Sequence, residues 1–216
     1  MTIEAVIFDF GGVITTSPFE AFNAFEAERG FLKNIIRRIN STNPNGNAWA
    51  LFERNEIDAA QFDELFASEA AARKHAIRGS EVLALLSGDI RPAMVATLDT
   101  LKAKGFKIGC ITNNVQTGSG AGMAGTSEKA EAVTAIMARF DHVIESSKAG
   151  IRKPDPRIYH MMCEALEVAP EACIYLDDLG INCKPAAAMG MTAIKVEDEQ
   201  QALAALTLAL DGILSA

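Results

Sequence analysis

The amino-acid sequence predicts an α/β fold, a Rossmann-like parallel sheet with helices on both faces and a small helical unit inserted after the first strand. Three observations predict it. Short apolar runs alternate with helix-period patterns along most of the chain, polar residues of complementary kinds follow four of those runs, and one long segment near the amino terminus shows helical patterns with no strand among them. A length of 216 residues, 49% hydrophobic and 22% charged, suffices to bury a full-sized core beside a smaller second unit.

The predicted strands are Ala5–Phe8, Phe106–Ile111, His142–Ile144, Cys173–Leu176 and Thr192–Val196, each short, apolar and bounded by turn or helix signals. Helical patterns fill the gaps at Pro92–Lys104, Ser127–Arg139, Pro156–Glu167, Lys184–Met189 and Glu199–Leu214. Pro92 and Pro156 sit in first turns, where a missing N–H costs nothing, and Gly105 and Gly190 follow last turns. Residues 17–90 break the alternation: Phe19, Phe22 and Phe25 recur at a spacing of three, a second pattern runs from Phe31 to Ile39, and Asp58-x-x-Gln61 has the form of a capping box. The phenylalanine stripe reads as the core of this insert rather than a cofactor-binding box, because apolar residues at helical spacing serve packing first. The chain thus divides into a core, residues 1–16 and 91–216, and a helical cap, residues 17–90.

Composition narrows the partners. A net charge of −8, with no basic run longer than Arg37-Arg38 or Arg73-Lys74, disfavours a nucleic-acid backbone. Four cysteines without a C-x-x-C pair fit a reduced, cytoplasmic chain. No basic and then apolar leader precedes the first strand, and the apolar tract from Leu203 to Leu214, interrupted by Asp211, is too short to span a bilayer. Neither a nucleic acid nor a membrane is expected as a partner.

The polar residues at the strand ends carry the chemistry. Open parallel sheets bind ligands beyond their carboxyl edges, and there the sequence places Asp9 after the first strand, Thr112-Asn113 after the second, Lys153 after the third and Asp177-Asp178 after the fourth. A carboxylate can attack phosphorus, but attacker and phosphate are both anionic, so a cation must lie between them. Mg²⁺ meets that need: Asp9 and Asp178 supply carboxylates, Gly11 a backbone carbonyl, and Asp177 a hold on a metal-bound water. Thr112, Asn113 and Lys153 are then placed for the phosphate oxygens where charge develops.

The stretches DFGGV, ITNN, GIRKPDPRIY and YLDDLGINCKPAAAMGM resemble the four ordered motifs of the haloacid dehalogenase superfamily. The pattern is most similar to the phosphatase-like amino-terminal domain of soluble epoxide hydrolase and to the related domain of some multidomain acyl-CoA dehydrogenases, over Thr2 to about Val196. The resemblance implies Asp9 as nucleophile, Thr112, Asn113 and Lys153 as phosphate binders, Asp178 as direct metal ligand, and the insert as the family's cap. It also exposes a departure. Phosphatases of this superfamily carry a second aspartate two residues after the nucleophile, as general acid and base; here that residue is Gly11. Three functions follow: a slow Mg²⁺-dependent phosphatase of small phosphorylated metabolites, a phosphate-binding module without turnover, and a metal-independent dehalogenase.

Other signals are weaker. Gly120-Ala-Gly-Met-Ala-Gly125 matches G-x-G-x-x-G but stands apart from its strand, so it reads as a loop. His75, His142 and His160 are scattered, Lys148 reads as a solvated charge, and Asn182 and Lys184 either brace the paired aspartates or begin a helix.

Overall fold

The computed structural model describes residues 2–115 and 127–210. The glycine-rich stretch and the end of the predicted last helix lie outside them. Five strands form one parallel sheet: β1 (Ala5–Phe8), β2 (Lys107–Thr112), β3 (His142–Glu145), β4 (Cys173–Asp177) and β5 (Thr192–Lys195), in the order β3-β2-β1-β4-β5. Each predicted strand is present, with ends shifted by at most one residue. Phe8 pairs with Cys110 on one side and Leu176 on the other, so the carboxyl ends of β1, β2 and β4 finish nearly level.

The period of two along each strand sorts the core into two layers. Val6 and Phe8 pack with Ile108, Cys110, Ile174 and Leu176 under α6 (Pro92–Ala103), α7 (Ser127–Met137) and α11 (Glu199–Ala209). Ala5, Ile7, Ile111, Cys173 and Tyr175 face α9 (Pro156–Leu166) and α10 (Gly180–Ala188) on the other side. A single turn, α8 (Ser146–Ala149), follows β3.

Between β1 and α6 run α1 (Pro18–Glu28), α2 (Ile35–Ser41), α3 (Ala48–Glu53), α4 (Ala59–Ala71) and α5 (Gly79–Ala84). Phe22, Ile36, Ile39, Phe52, Phe62 and Phe66 form a separate cluster, with Phe19 and Phe25 partly buried against it. Asp58 and Gln61 cap α4 reciprocally, at 2.8 and 2.9 Å. Entry to and exit from this insert run side by side: Thr15 bridges Ile90 antiparallel, the Thr16 N–H donates to the Asp89 carbonyl at 2.8 Å, and the Arg91 N–H donates to Ile14 at 2.9 Å.

One element departs from expectation. α10 starts at Gly180, four residues before the predicted Lys184, and carries Pro185 in its interior. The site sets that start, because the Asp177 carboxylate accepts the Leu179 N–H at 2.8 Å and fixes the turn that opens the helix. The anchored first turn overrides the proline, which ordinarily disfavours helix interiors.

Candidate functional site

From β1 the chain builds outward to one edge through β2 and β3, then returns to build the other edge through β4 and β5. The switch point between β1 and β4 is where such sheets take ligands. Asp9 extends β1 by one residue, its N–H donating to the Leu176 carbonyl at 2.8 Å, which brings its carboxylate beside that of Asp177. Asp178 follows, and one oxygen from each of Asp9, Asp177 and Asp178 lies within 4.8 Å of the others. Thr112, buried at the end of β2, is on the neighbouring strand.

Lys153 follows an edge strand, yet its ammonium sits in the middle of the site. Its Nζ lies 2.8 Å from Asp9 Oδ1 and 2.8 Å from Asp177 Oδ2, and the residue is 1% exposed. Asn113 carries it there: the amide oxygen accepts the Lys153 N–H at 2.9 Å and the amide nitrogen donates to the Lys153 carbonyl at 3.0 Å. The side chain expected to touch phosphate is thus committed at both ends to the backbone of the residue that would bind it.

Asp177, expected to hold a metal-bound water, has a different load in the structure. Its Oδ2 accepts from Lys153, from the Tyr175 hydroxyl at 2.5 Å and from Asn182 Nδ2 at 3.1 Å, while Oδ1 accepts from the Leu179 N–H and again from Asn182 at 3.1 Å. Protein donors fill a fully buried carboxylate, which therefore anchors Lys153. Asp9 is less engaged. Phe10 N–H at 2.7 Å and Lys153 both address Oδ1, so among the described residues Oδ2 is left without a hydrogen-bond donor. Asp178 Oδ2 accepts from Ser17 Oγ at 2.9 Å.

The glycine pair divides its work. A Cβ on Gly12, whose φ is +79°, would lie 2.3 Å from Asp178 Oδ2, so that position admits only glycine and lets the loop close on the carboxylate. A Cβ on Gly11 meets nothing within 4 Å, and its backbone is outside the left-handed region.

The electrostatics are those of a site with surplus negative charge. Burial pushes the Asp9 carboxyl well up; Lys153 opposes the shift, and Asp177 and Asp178 add to it. Burial and then the charge of Asp177 push Asp178 up to about 6, against the Ser17 hydrogen bond. Burial alone would lower the Lys153 ammonium, but Asp177 and Asp9 outweigh it and hold it above its ordinary value. Ionised together, the three carboxylates would exceed the one ammonium by two negative charges. Hard oxygen donors of this kind fit a divalent cation of the Mg²⁺ type, which the Asp9 and Asp178 carboxylates could hold.

Of the remaining candidates, Asn182 joins the site through Asp177, whereas Lys184 is exposed. Lys148 is exposed and paired with Glu145. His142 and His160 are exposed, and His75 packs edge-on against the Phe31 ring at 5.4 Å. Ser17 and Tyr175 escaped the sequence reading. Alternation along β4 could have found Tyr175, which must share a face with Asp177 two residues on; Ser17 has no such signal. No helix among the described residues is long and apolar enough to cross a membrane.

Comparison with known proteins gives the family. A profile described as haloacid dehalogenase-like hydrolase matches residues 3–190. The chain is 32% identical over 207 residues to acyl-CoA dehydrogenase family member 10 of Mus musculus, covering 93% of this chain and 18% of that protein. It is 30% identical over 215 residues to phosphatase MT3486 of Mycobacterium tuberculosis, covering 93% and 90%. The chain spans 38% of bifunctional epoxide hydrolase 2 of Sus scrofa, at 30% identity over 218 residues. Among solved structures, the magnesium complex of a HAD family enzyme from Bacteroides thetaiotaomicron superposes with a TM-score of 0.60 at 17% identity, covering 91% of this chain and 94% of that one. The profile match runs through all four strand-end motifs and the sheet gathers them at one edge; the chain belongs to the haloacid dehalogenase-like hydrolases.

Proposed function

We propose that the chain is a Mg²⁺-dependent phosphatase of small phosphorylated metabolites that works through an aspartyl phosphate on Asp9 and is slow at the hydrolytic step. The observation that carries this reading is the Lys153 ammonium shared between Asp9 and Asp177 at 2.8 Å each, beside the further carboxylate of Asp178. Such an arrangement attracts a dication and then an anion. Phosphatase MT3486 and a sesquiterpene phosphatase of Aspergillus oryzae, 27% identical over 202 residues, lend support by their names.

Asp9 is oriented by the Phe10 N–H and by Lys153 through Oδ1, which leaves Oδ2 to attack phosphorus as the ester oxygen departs. Lys153 and Thr112 face the oxygens on which charge accumulates. Mg²⁺, when bound, would neutralise phosphate charge that otherwise repels Asp9. Gly11 offers no acid to the departing oxygen and no base to the water that must cleave the acyl phosphate. A hydrolysis screen of phosphorylated metabolites with Mg²⁺ and with chelator, run beside Asp9→Asn, tests the reading. Chelator-sensitive phosphate release lost in Asp9→Asn supports it.

Gly11 also favours a second reading, since expelling halide from a haloacid needs no proton donor. Chelator-resistant halide release would establish that reading instead. Phosphate binding with neither release would leave a binding module.

The raised Asp178 carboxyl gives a pH test. Folded, it holds its proton up to about pH 6, whereas an unfolded aspartate releases it near 4. Between those values the folded chain binds more protons, so the metal-free fold loses this contribution as pH rises. Mg²⁺ needs the ionised form. The rise in Tm on adding Mg²⁺ is therefore expected to be large at pH 7.5 and to fade below pH 6; a shift independent of pH would remove Asp178 from the metal site.

A further inference from the structure

We infer that the ion pair between half-buried Arg152 and buried Glu53 latches the helical insert to the segment that carries Lys153, which makes Arg152 a positioning residue for anion capture. The inference rests on the phosphatase reading for its functional consequence and on geometry alone for the latch.

Arg152 and Lys153 are neighbours whose side chains diverge. Lys153 turns into the sheet toward Asp9 and Asp177, while Arg152 Nε reaches Glu53 Oε2 on α3 at 2.5 Å and its Nη1 donates to the Pro44 carbonyl at 2.9 Å. A second tie runs in parallel, the buried Ser146 hydroxyl donating to the Glu53 carbonyl at 2.7 Å. Ser146 in turn accepts the Asn114 N–H at 3.1 Å, and Asn114 follows the residue that clamps the Lys153 backbone. The insert is therefore tied at Glu53 as well as at its stem near Thr15 and Ile90.

The location of the second tie gives it meaning. Glu53 is 5% exposed, and a buried carboxylate keeps its charge only with a partner as close as Arg152. Were the pair there only to hold the insert, any exposed loop would serve. It lies instead one residue from the ammonium that addresses Asp9, so a shift of α3 moves the backbone on which Lys153 is mounted. Seating of the insert and placement of Lys153 form one unit.

The test uses the whole chain and two readouts. Arg152→Met keeps the side-chain stem and removes the guanidinium, Glu53→Gln keeps the shape and removes the charge, and Arg152→Lys restores a cation. Backbone hydrogen exchange should rise in Arg152→Met both at 42–54 and at 150–155. Inorganic phosphate, titrated with Mg²⁺, should bind between about tenfold and a hundredfold more weakly, the range that slight misplacement costs an oriented group, and Arg152→Lys should recover part of the loss. Glu53→Gln should reproduce both effects, and it carries the test if Arg152→Met does not fold. Faster exchange confined to 42–54 with unchanged phosphate affinity would overturn the latch, because a pair that merely holds the insert behaves that way. If the parent binds no phosphate, the phosphatase reading falls and the exchange pattern alone decides: coupled exchange at 150–155 supports the latch, and its absence overturns it.

Discussion

Lys153→Met is expected to cost the fold roughly 3–5 kcal/mol at neutral pH and to abolish phosphate binding. Methionine nearly matches the stem in length, so the loss is electrostatic. Without the ammonium, Asp9 and Asp177 face each other while buried, and each loses a 2.8 Å partner. The Asp9 carboxyl, already pushed up by burial, then loses the charge that opposed that shift, which sets the pH dependence: the penalty is full where the site is ionised and shrinks in acid, where the folded chain takes up the missing charge as protons. Urea unfolding at pH 7.5 and at pH 5 measures it. Lys148→Met, five residues earlier, is the comparison. That lysine is 69% exposed in its side chain and pairs with Glu145 at the surface, a contact of about 0–1 kcal/mol. Similar losses for the two variants would mean that Lys153 does not hold the aspartates together.

Gly11→Asp is expected to raise turnover by roughly 10²- to 10⁴-fold, the usual contribution of a positioned acid and base. The structure removes the obstacle that a glycine in a tight loop suggests. A side chain at position 11 enters open space on an ordinary backbone, whereas the same change at Gly12 would strike Asp178. In the parent, an acyl phosphate donor should leave a phosphate on Asp9 that mass spectrometry detects and that clears slowly, because its departing group needs little protonation. In the variant that label should vanish within the first turnovers while phosphate release accelerates. A folded, Mg²⁺-binding variant that is no faster, together with a parent that never labels, would reduce the chain to a binding module.

The sequence disclosed the sheet because each buried strand is an unbroken apolar run that ends in a polar residue. The strand-end positions of Asp9, Thr112 and Asp177 were legible for the same reason: a charge or hydroxyl closing such a run has few packing uses. The tasks of Asn113 and Asp177 were not legible. Both depend on which donors converge from distant segments, and Asn113 meets Lys153 across 40 residues of chain. The start of α10 was read four residues late, because the turn that opens it is closed by the Asp177 carboxylate on the Leu179 N–H, which no helical pattern announces. Glu53 and Arg152 resemble ordinary surface charges on paper. Only the docking of α3 on the segment after β3 brings them together.

The stem at Thr15 and Ile90 bears on how such a chain changes its diet. Because the two connections to the insert touch, the sheet meets a segment of over seventy residues as if it were a tight turn. Closure of a loop depends only weakly on its length, so lengthening, shortening or exchanging what lies beyond the stem leaves the strand order and the reach of Asp9 as they are. On the function proposed above, the helical insert is then a cassette that can be exchanged while the site at the strand ends stays fixed. On that reading an exchanged cassette keeps the chemistry proposed for Asp9 and has to rebuild the contacts made at Glu53, the Arg152 ion pair and the Ser146 hydrogen bond.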